Sequence, residues 1–127
     1  PRRMVEQVRA WIQTNAVGRL EPWSRPAVGD SHAPRMANKA GWRRPSAETK
    51  CLNEADQVLE YLIYPGVFRT ELCAGFDPRT VCKVLVDRGL MEPSKDKLTT
   101  KHREPGAKST SDFYLIKPEI LDSDDAA

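Results

Sequence analysis

The sequence predicts an α+β fold in the order helix, strand, helix, helix and β-hairpin, and three observations predict it. A tight Gly75-Phe76-Asp77 turn separates two short apolar-patterned segments, which is helix-turn-helix punctuation. A β-rich run from Val58 to Tyr64 ends against Pro65 just before them. After them, two strand-like runs flank a turn at Glu104-Pro105-Gly106-Ala107-Lys108. That order is a winged helix-turn-helix, with a long Pro-rich insertion after the first helix.

The first helix is read over Arg3 to Asn15. Met4, Val8, Trp11 and Ile12 recur at spacings of three and four, and Asn15 and Gly18 offer a stop. Residues 19–57 carry Pro22, Pro26, Pro34 and Pro45 with Gly29 and Gly41, so they read as an irregular insertion. Trp23 and Trp42 are placed to pin its ends, and the run Lys39 to Arg44 is a candidate strand. Pro65 suits the first turn of a helix carrying Val67, Phe68, Leu72 and Cys73. Asp77-Pro78 is an N-cap followed by proline at N1, and Gly89 takes the C-terminal cap position. Lys97 to Arg103 alternates Leu98, Thr100 and His102 against Lys97, Lys101 and Arg103. Asp112 to Ile116 is the returning strand, stopped by Pro118. The domain is therefore read over 1–117, with 118–127 as an acidic tail.

The 127 residues suffice for one modest core, with 39% apolar and 30% charged residues and a mean hydropathy of -0.59. The chain opens at Pro1 without an initiator Met and is read as a piece of a longer protein. No run approaches the ~18 apolar residues of a membrane span, so no membrane partner is expected. Cys51, Cys73 and Cys82 are an odd count without a C-x-x-C pair. That fits a reducing, cytoplasmic setting better than a disulfide scaffold, and Cys73 and Cys82 read as small core residues. With only His32 and His102 to join them, no metal and no cofactor are implied.

The net charge is +2, but residues 118–127 hold four acids and no base. The remaining 1–117 carry twenty bases against fourteen acids, or +6, a balance that suits a polyanion. On a helical wheel over 79–88, Val81, Val84 and Leu85 gather opposite Arg79, Thr80, Lys83 and Asp87. Arg79 and Lys83 share a face, as a helix entering the major groove requires, and Thr80 stands where a phosphate contact is made. Lys97, Lys101 and Arg103, flanked by Lys95 and Lys108, suit a wing lying along the phosphate backbone. A solvated helix face and a lysine-protected sheet edge explain the same charges without DNA. Arg2, Arg3 and Arg9 offer a second basic patch, and Arg43 and Arg44 flank Trp42 as candidate base-stacking residues. His102 is read as structural. No phosphate-binding loop, nucleophile elbow or zinc-protease motif is present, so the chain is read as no enzyme.

Four strings carry a family resemblance: Asn38-Lys39-Ala40-Gly41-Trp42-Arg43-Arg44, Tyr64-Pro65-Gly66-Val67-Phe68-Arg69, Cys73-Ala74-Gly75-Phe76-Asp77-Pro78-Arg79 and Asp87-Arg88-Gly89-Leu90. Together with Leu98-Thr99 and Pro105-Gly106, they resemble the C-terminal region of the domain-of-unknown-function 927 family. The resemblance implies a mobile-element helicase or primase whose phosphate-binding loop lies upstream. It thus implies an accessory DNA-binding domain, with duplex or forked DNA and the upstream domains of the same polypeptide as partners. A winged helix that docks on its own ATPase or on a partner is the alternative. The end domain of a conjugative relaxase is another.

Overall fold

The computed structural model describes residues 2–23 and 38–122. The helix-breaking Pro26, Gly29 and Pro34, His32 and the tail acids Asp124 and Asp125 lie outside the described residues.

Helix α1 (Arg2–Arg19) buries Val5, Val8 and Ile12, one stripe at helical spacing. It runs past the stop predicted at Asn15 and Gly18. Asn15 keeps its side chain on the helix by donating to the Trp11 carbonyl at 3.0 Å. The final carbonyls find a cation: Arg43 Nη1 donates to Ala16 O at 2.7 Å, to Val17 O at 3.3 Å and to Leu20 O. A guanidinium at a helix C-terminus satisfies orphan carbonyls and matches the dipole.

Of the segment predicted as irregular, 19–57, the described residues 19–23 and 38–57 contribute regular elements to the body. Arg19 belongs to α1, β1 (Leu20–Pro22) and β2 (Gly41–Pro45) follow, and Glu54–Asp56 is a 3-10 turn. Pro22 and Pro45 are the last residues of their strands, where a missing N–H is tolerated. Strand β1 runs parallel to β2, and β3 (Leu59–Ile63) returns antiparallel beside it. Gly41 permits this pairing: a Cβ there would stand 1.9 Å from the Leu62 carbonyl oxygen.

Strand β3 leads into α2 (Pro65–Val67), whose continuation Phe68–Leu72 winds as a π-turn, and then α3 (Pro78–Asp87). Strands β4 (Met91–Glu92), β5 (Thr100–His102) and β6 (Ser111–Ile116) complete a sheet ordered β1-β2-β3-β6-β4, with β5 paired to β6. The fold is α+β with a mixed sheet. The outgoing hairpin strand is much shorter than the predicted Lys97 to Arg103. Glu92 lies opposite Leu115 and Thr100 opposite Phe113, so residues 93–99 leave the ladder. Ser94 closes part of that excursion, donating from N and Oγ to the Lys97 carbonyl at 2.9 and 3.2 Å.

Strand alternation divides the side chains between two apolar clusters. On the helix side, α1, α2 and α3 pack over Tyr61, Ile63, Tyr114 and Ile116, with Phe68 stacked on Tyr114 at 4.2 Å. On the other face, Trp42, Leu62, Phe113 and Leu115 are buried with Trp23 and Tyr64 against them, without a contribution from any of these helices. Trp23 and Trp42 therefore anchor this second cluster, meeting edge to face at 5.4 Å. Residues assigned to an acidic tail also belong to the body. Pro118 and Ile120 are buried in a 3-10 turn, and Arg9 Nε donates to the Ile120 carbonyl at 2.8 Å. Among the described residues, no helix is long and apolar enough to cross a membrane.

Candidate nucleic-acid interface

The bihelical unit is set by local chemistry. In the π-turn the Cys73 N–H reaches the Phe68 carbonyl at 3.0 Å, which turns Phe68 and Leu72 inward and leaves Arg69 and Thr70 outward. Phe76 N donates to Cys73 O at 2.8 Å, and Gly75, at φ 81°, supplies the left-handed residue of the turn. Asp77 then caps α3: its Oδ2 accepts from Thr80 N at 3.1 Å and from Thr80 Oγ1 at 2.9 Å. The helix closes with a full Schellman motif at Gly89, φ 70°, through Leu90 N to Leu85 O at 2.8 Å and Gly89 N to Val86 O at 3.0 Å.

Helix α3 buries Val81, Cys82 and Leu85 and leaves Arg79, Thr80, Lys83 and Asp87 exposed. At ~100° per residue, Arg79 and Lys83 follow Cys82 around the helix, while Thr80 and Asp87 lie towards Val84. Two sequence assignments change here. Val84 is only half-buried and Cys82 takes its place in the core. Thr80, expected at a phosphate, has its hydroxyl proton on Asp77, and that carboxylate repels an approaching anion.

The structure adds Arg69, which the wheel of α3 alone did not reveal. It is exposed in the π-turn that precedes α3, and its positive charge works against the burial that pushes the Cys82 thiol up to about 11. The signal was present in the sequence: with Phe68 and Leu72 inward, the residue after Phe68 must face out.

All five hairpin cations are exposed: Lys95, Lys97, Lys101, Arg103 and Lys108. Only Lys101 lies within a strand, opposite Asp112, so alternation does not align Lys97 and Arg103 with it. Among the described residues, none of these five, nor Arg69, Arg79 or Lys83, forms an ion pair.

The other candidate cations are engaged. Arg2 pairs with Glu6 at 3.1 Å, and Arg9 holds Ile120, so the expected N-terminal patch keeps only Arg3. Arg43 caps α1 and is not placed for stacking on bases. Arg44 Nε meets Glu60 Oε2 at 2.6 Å, and its guanidinium lies 5.1 Å from the Trp23 ring centroid. Lys39 bonds the buried Glu21 at 2.7 Å and sits 3.3 Å from the Trp42 ring centroid. Burial pushes Cys73 up to about 12, so both it and Cys82 are protonated core residues at neutral pH. No cluster of three or more metal-ligating side chains occurs among the described residues.

His102 is held on the helix-free face. Its Nε2 lies 2.6 Å from Thr100 Oγ1 and its Nδ1 lies 3.4 Å from Arg44 Nη2. A guanidinium only donates, so Nδ1 is the bare acceptor and Nε2 carries the proton to Thr100. Burial first, and then Arg44, lower its pKa, against a smaller pull upward from Glu92. Arg44 stands on β2, two strands from β6, so this contact draws the hairpin across the sheet face.

No protein-family model matches this chain, and comparison with curated proteins and with solved structures finds no similar one. The functional reading therefore rests on the residues themselves.

Proposed function

We propose that this chain is a winged-helix DNA-binding domain, an accessory to a mobile-element replication helicase or primase carried elsewhere in its polypeptide. Arg69, Arg79 and Lys83 grip a groove or its edge, and the hairpin cations lie along phosphates. One observation carries the reading: among the described residues, eight cations on the bihelical unit and the hairpin have no acid partner, whereas Arg19, Lys39 and Arg44 of the body do. Exposed, unpaired Lys and Arg are what a polyanion recruits, with counterion release as the driving term. The β3–β6 pairing supports the fold assignment, because it joins the strand entering the bihelical unit to the hairpin's returning strand. The mobile-element context rests on the motif resemblance alone.

A salt-titrated binding assay on single-stranded, duplex and forked DNA tests this. With duplex, changing Lys97, Lys101 and Arg103 to Ala lowers affinity for all sequences and flattens the salt slope by about 0.9 for each phosphate left unneutralised. Affinity weaker than ~10⁻⁴ M for every DNA form would replace DNA by a protein partner as the ligand of this surface.

A further inference from the structure

We propose that His102 is a pH-sensitive latch: neutral, it holds the cationic hairpin over the helix-free face through Arg44, and protonated, it lets the hairpin go. The geometry is a polar chain crossing from hairpin to sheet, Thr100 to His102 to Arg44 to Glu60. It runs beside the cluster of Trp42, Leu62 and Phe113, with the His102 ring 6.2 Å from that of Phe113 and the Arg44 guanidinium 5.1 Å from the Trp23 ring centroid. Strand β5 has only three residues of ladder, all with β6, so few backbone bonds keep it closed.

The chemistry makes the middle link switchable. Arg44 can only donate, and the acceptor it meets is Nδ1, the atom that a second proton would occupy. Protonation removes that acceptor and sets an imidazolium against a guanidinium. The charged groups around His102 decide the sign. Arg44 on β2 opposes the second charge, and Glu60 on β3 is already paired with Arg44 at 2.6 Å. Glu92 on β4 favours it, but less strongly than burial and Arg44 disfavour it. On the hairpin itself, Lys101 and Asp112 face each other across the ladder, and Arg103 and Glu104 follow in the chain. The balance favours neutral His102, so the closed hairpin is stabilised above the imidazole's ordinary pKa of 6.5. The stabilisation is lost as pH falls below that value and through the lowered one.

Amide hydrogen exchange on the whole chain without DNA, from about pH 7.5 to about pH 5, reads the latch directly. In the wild type, protection of 100–102 and 111–113, corrected for intrinsic exchange, falls about tenfold for each unit by which His102 titrates below 6.5. H102Q keeps a donor for Thr100 and an acceptor for Arg44 and does not titrate, so its corrected protection stays level. R44Q raises the His102 midpoint and shrinks the loss. A wild-type profile as level as that of H102Q overturns the latch. So does a His102 midpoint at or above 6.5, which proton NMR of the wild type reads whether or not the variants fold. Neither readout involves DNA, so failure here is separable from failure of the DNA-binding reading.

Discussion

The cations where α1 meets the sheet and those of the bihelical unit and hairpin are the same residue types in opposite circumstances. Arg43 closes a helix, Arg19 forks onto Glu71, Lys39 covers Trp42 while bonding Glu21, and Arg44 binds Glu60 and His102. Arg69, Arg79, Lys83 and the five hairpin cations have no such neighbours and stand in solvent. The difference teaches that a net charge of +2 conceals two unlike populations of cations. One population organises the fold, and the other is left available to something outside it. Substituting members of each population is the way to break that distinction.

The largest effect is expected at Arg43. Replacing it by Met keeps much of the stem but strands carbonyls of Ala16, Val17 and Leu20 where α1 meets the sheet. Hydrogen bonds to a charged donor contribute about 1.5–3 kcal/mol, and orphaned acceptors add to the loss. The variant should lose about 2–4 kcal/mol in urea unfolding at neutral pH. A loss below ~0.5 kcal/mol would move Arg43 into the surface population.

A smaller effect, with a pH signature, is expected at Glu71. Arg19 donates to both its oxygens, with Nη2 to Oε2 at 2.9 Å, and Trp11 Nε1 adds a third bond at 3.2 Å. Chiefly through the Arg19 bond, these hold the Glu71 carboxyl below its ordinary 4.5. A depressed carboxylate stabilises the fold above its unfolded pKa, and that contribution disappears as pH falls through the folded value. The pair is partly exposed, with 37% of the Glu71 side chain accessible, so solvent screening limits the loss in E71Q to about 1 kcal/mol at pH 7. As pH falls through the lowered Glu71 value, the stabilities of E71Q and wild type should converge. Parallel curves over the whole range would remove the linkage.

What was legible in the sequence follows the range of the interactions involved. Asp77-Pro78 and Gly89 gave both ends of α3 because caps bond over three to five residues. Strands β3 and β6 showed as apolar, β-rich runs because both their faces are covered. By contrast, the three residues of β1 pair in parallel with β2 across a long connection and leave no periodicity to read, whereas the candidate strand Lys39 to Arg44 did mark β2. The extension of α1 past Gly18 depends on Arg43, more than twenty residues away. The sequence also placed the candidate site's cations on α3 and the hairpin. It did not show that Thr80 is tied to Asp77 or that the hairpin bends back to Arg44. The contact with Arg44 joins segments 58 residues apart, which no local pattern records, whereas the Thr80–Asp77 bond spans three residues and is missed when Thr80 is read as a phosphate contact.

The smallest stability effect is expected within α3, where both populations of polar groups occur on one helix. Arg79→Gln with Lys83→Gln keeps helix propensity and removes two charges that touch no acid. The double variant should unfold within about 0.5 kcal/mol of wild type. On the same helix Asp77→Ala removes the acceptor of Thr80 N and Oγ1 and should cost about 1 kcal/mol. Duplex affinity should order the other way. The double Gln variant loses two phosphate-neutralising charges, and Asp77→Ala removes a carboxylate that repels phosphates. If the double Gln variant is the less stable of the two, Arg79 and Lys83 belong to the fold. If it is as stable as wild type and binds duplex equally well, they belong to neither fold nor DNA, and the α3 face is an ordinary solvated surface.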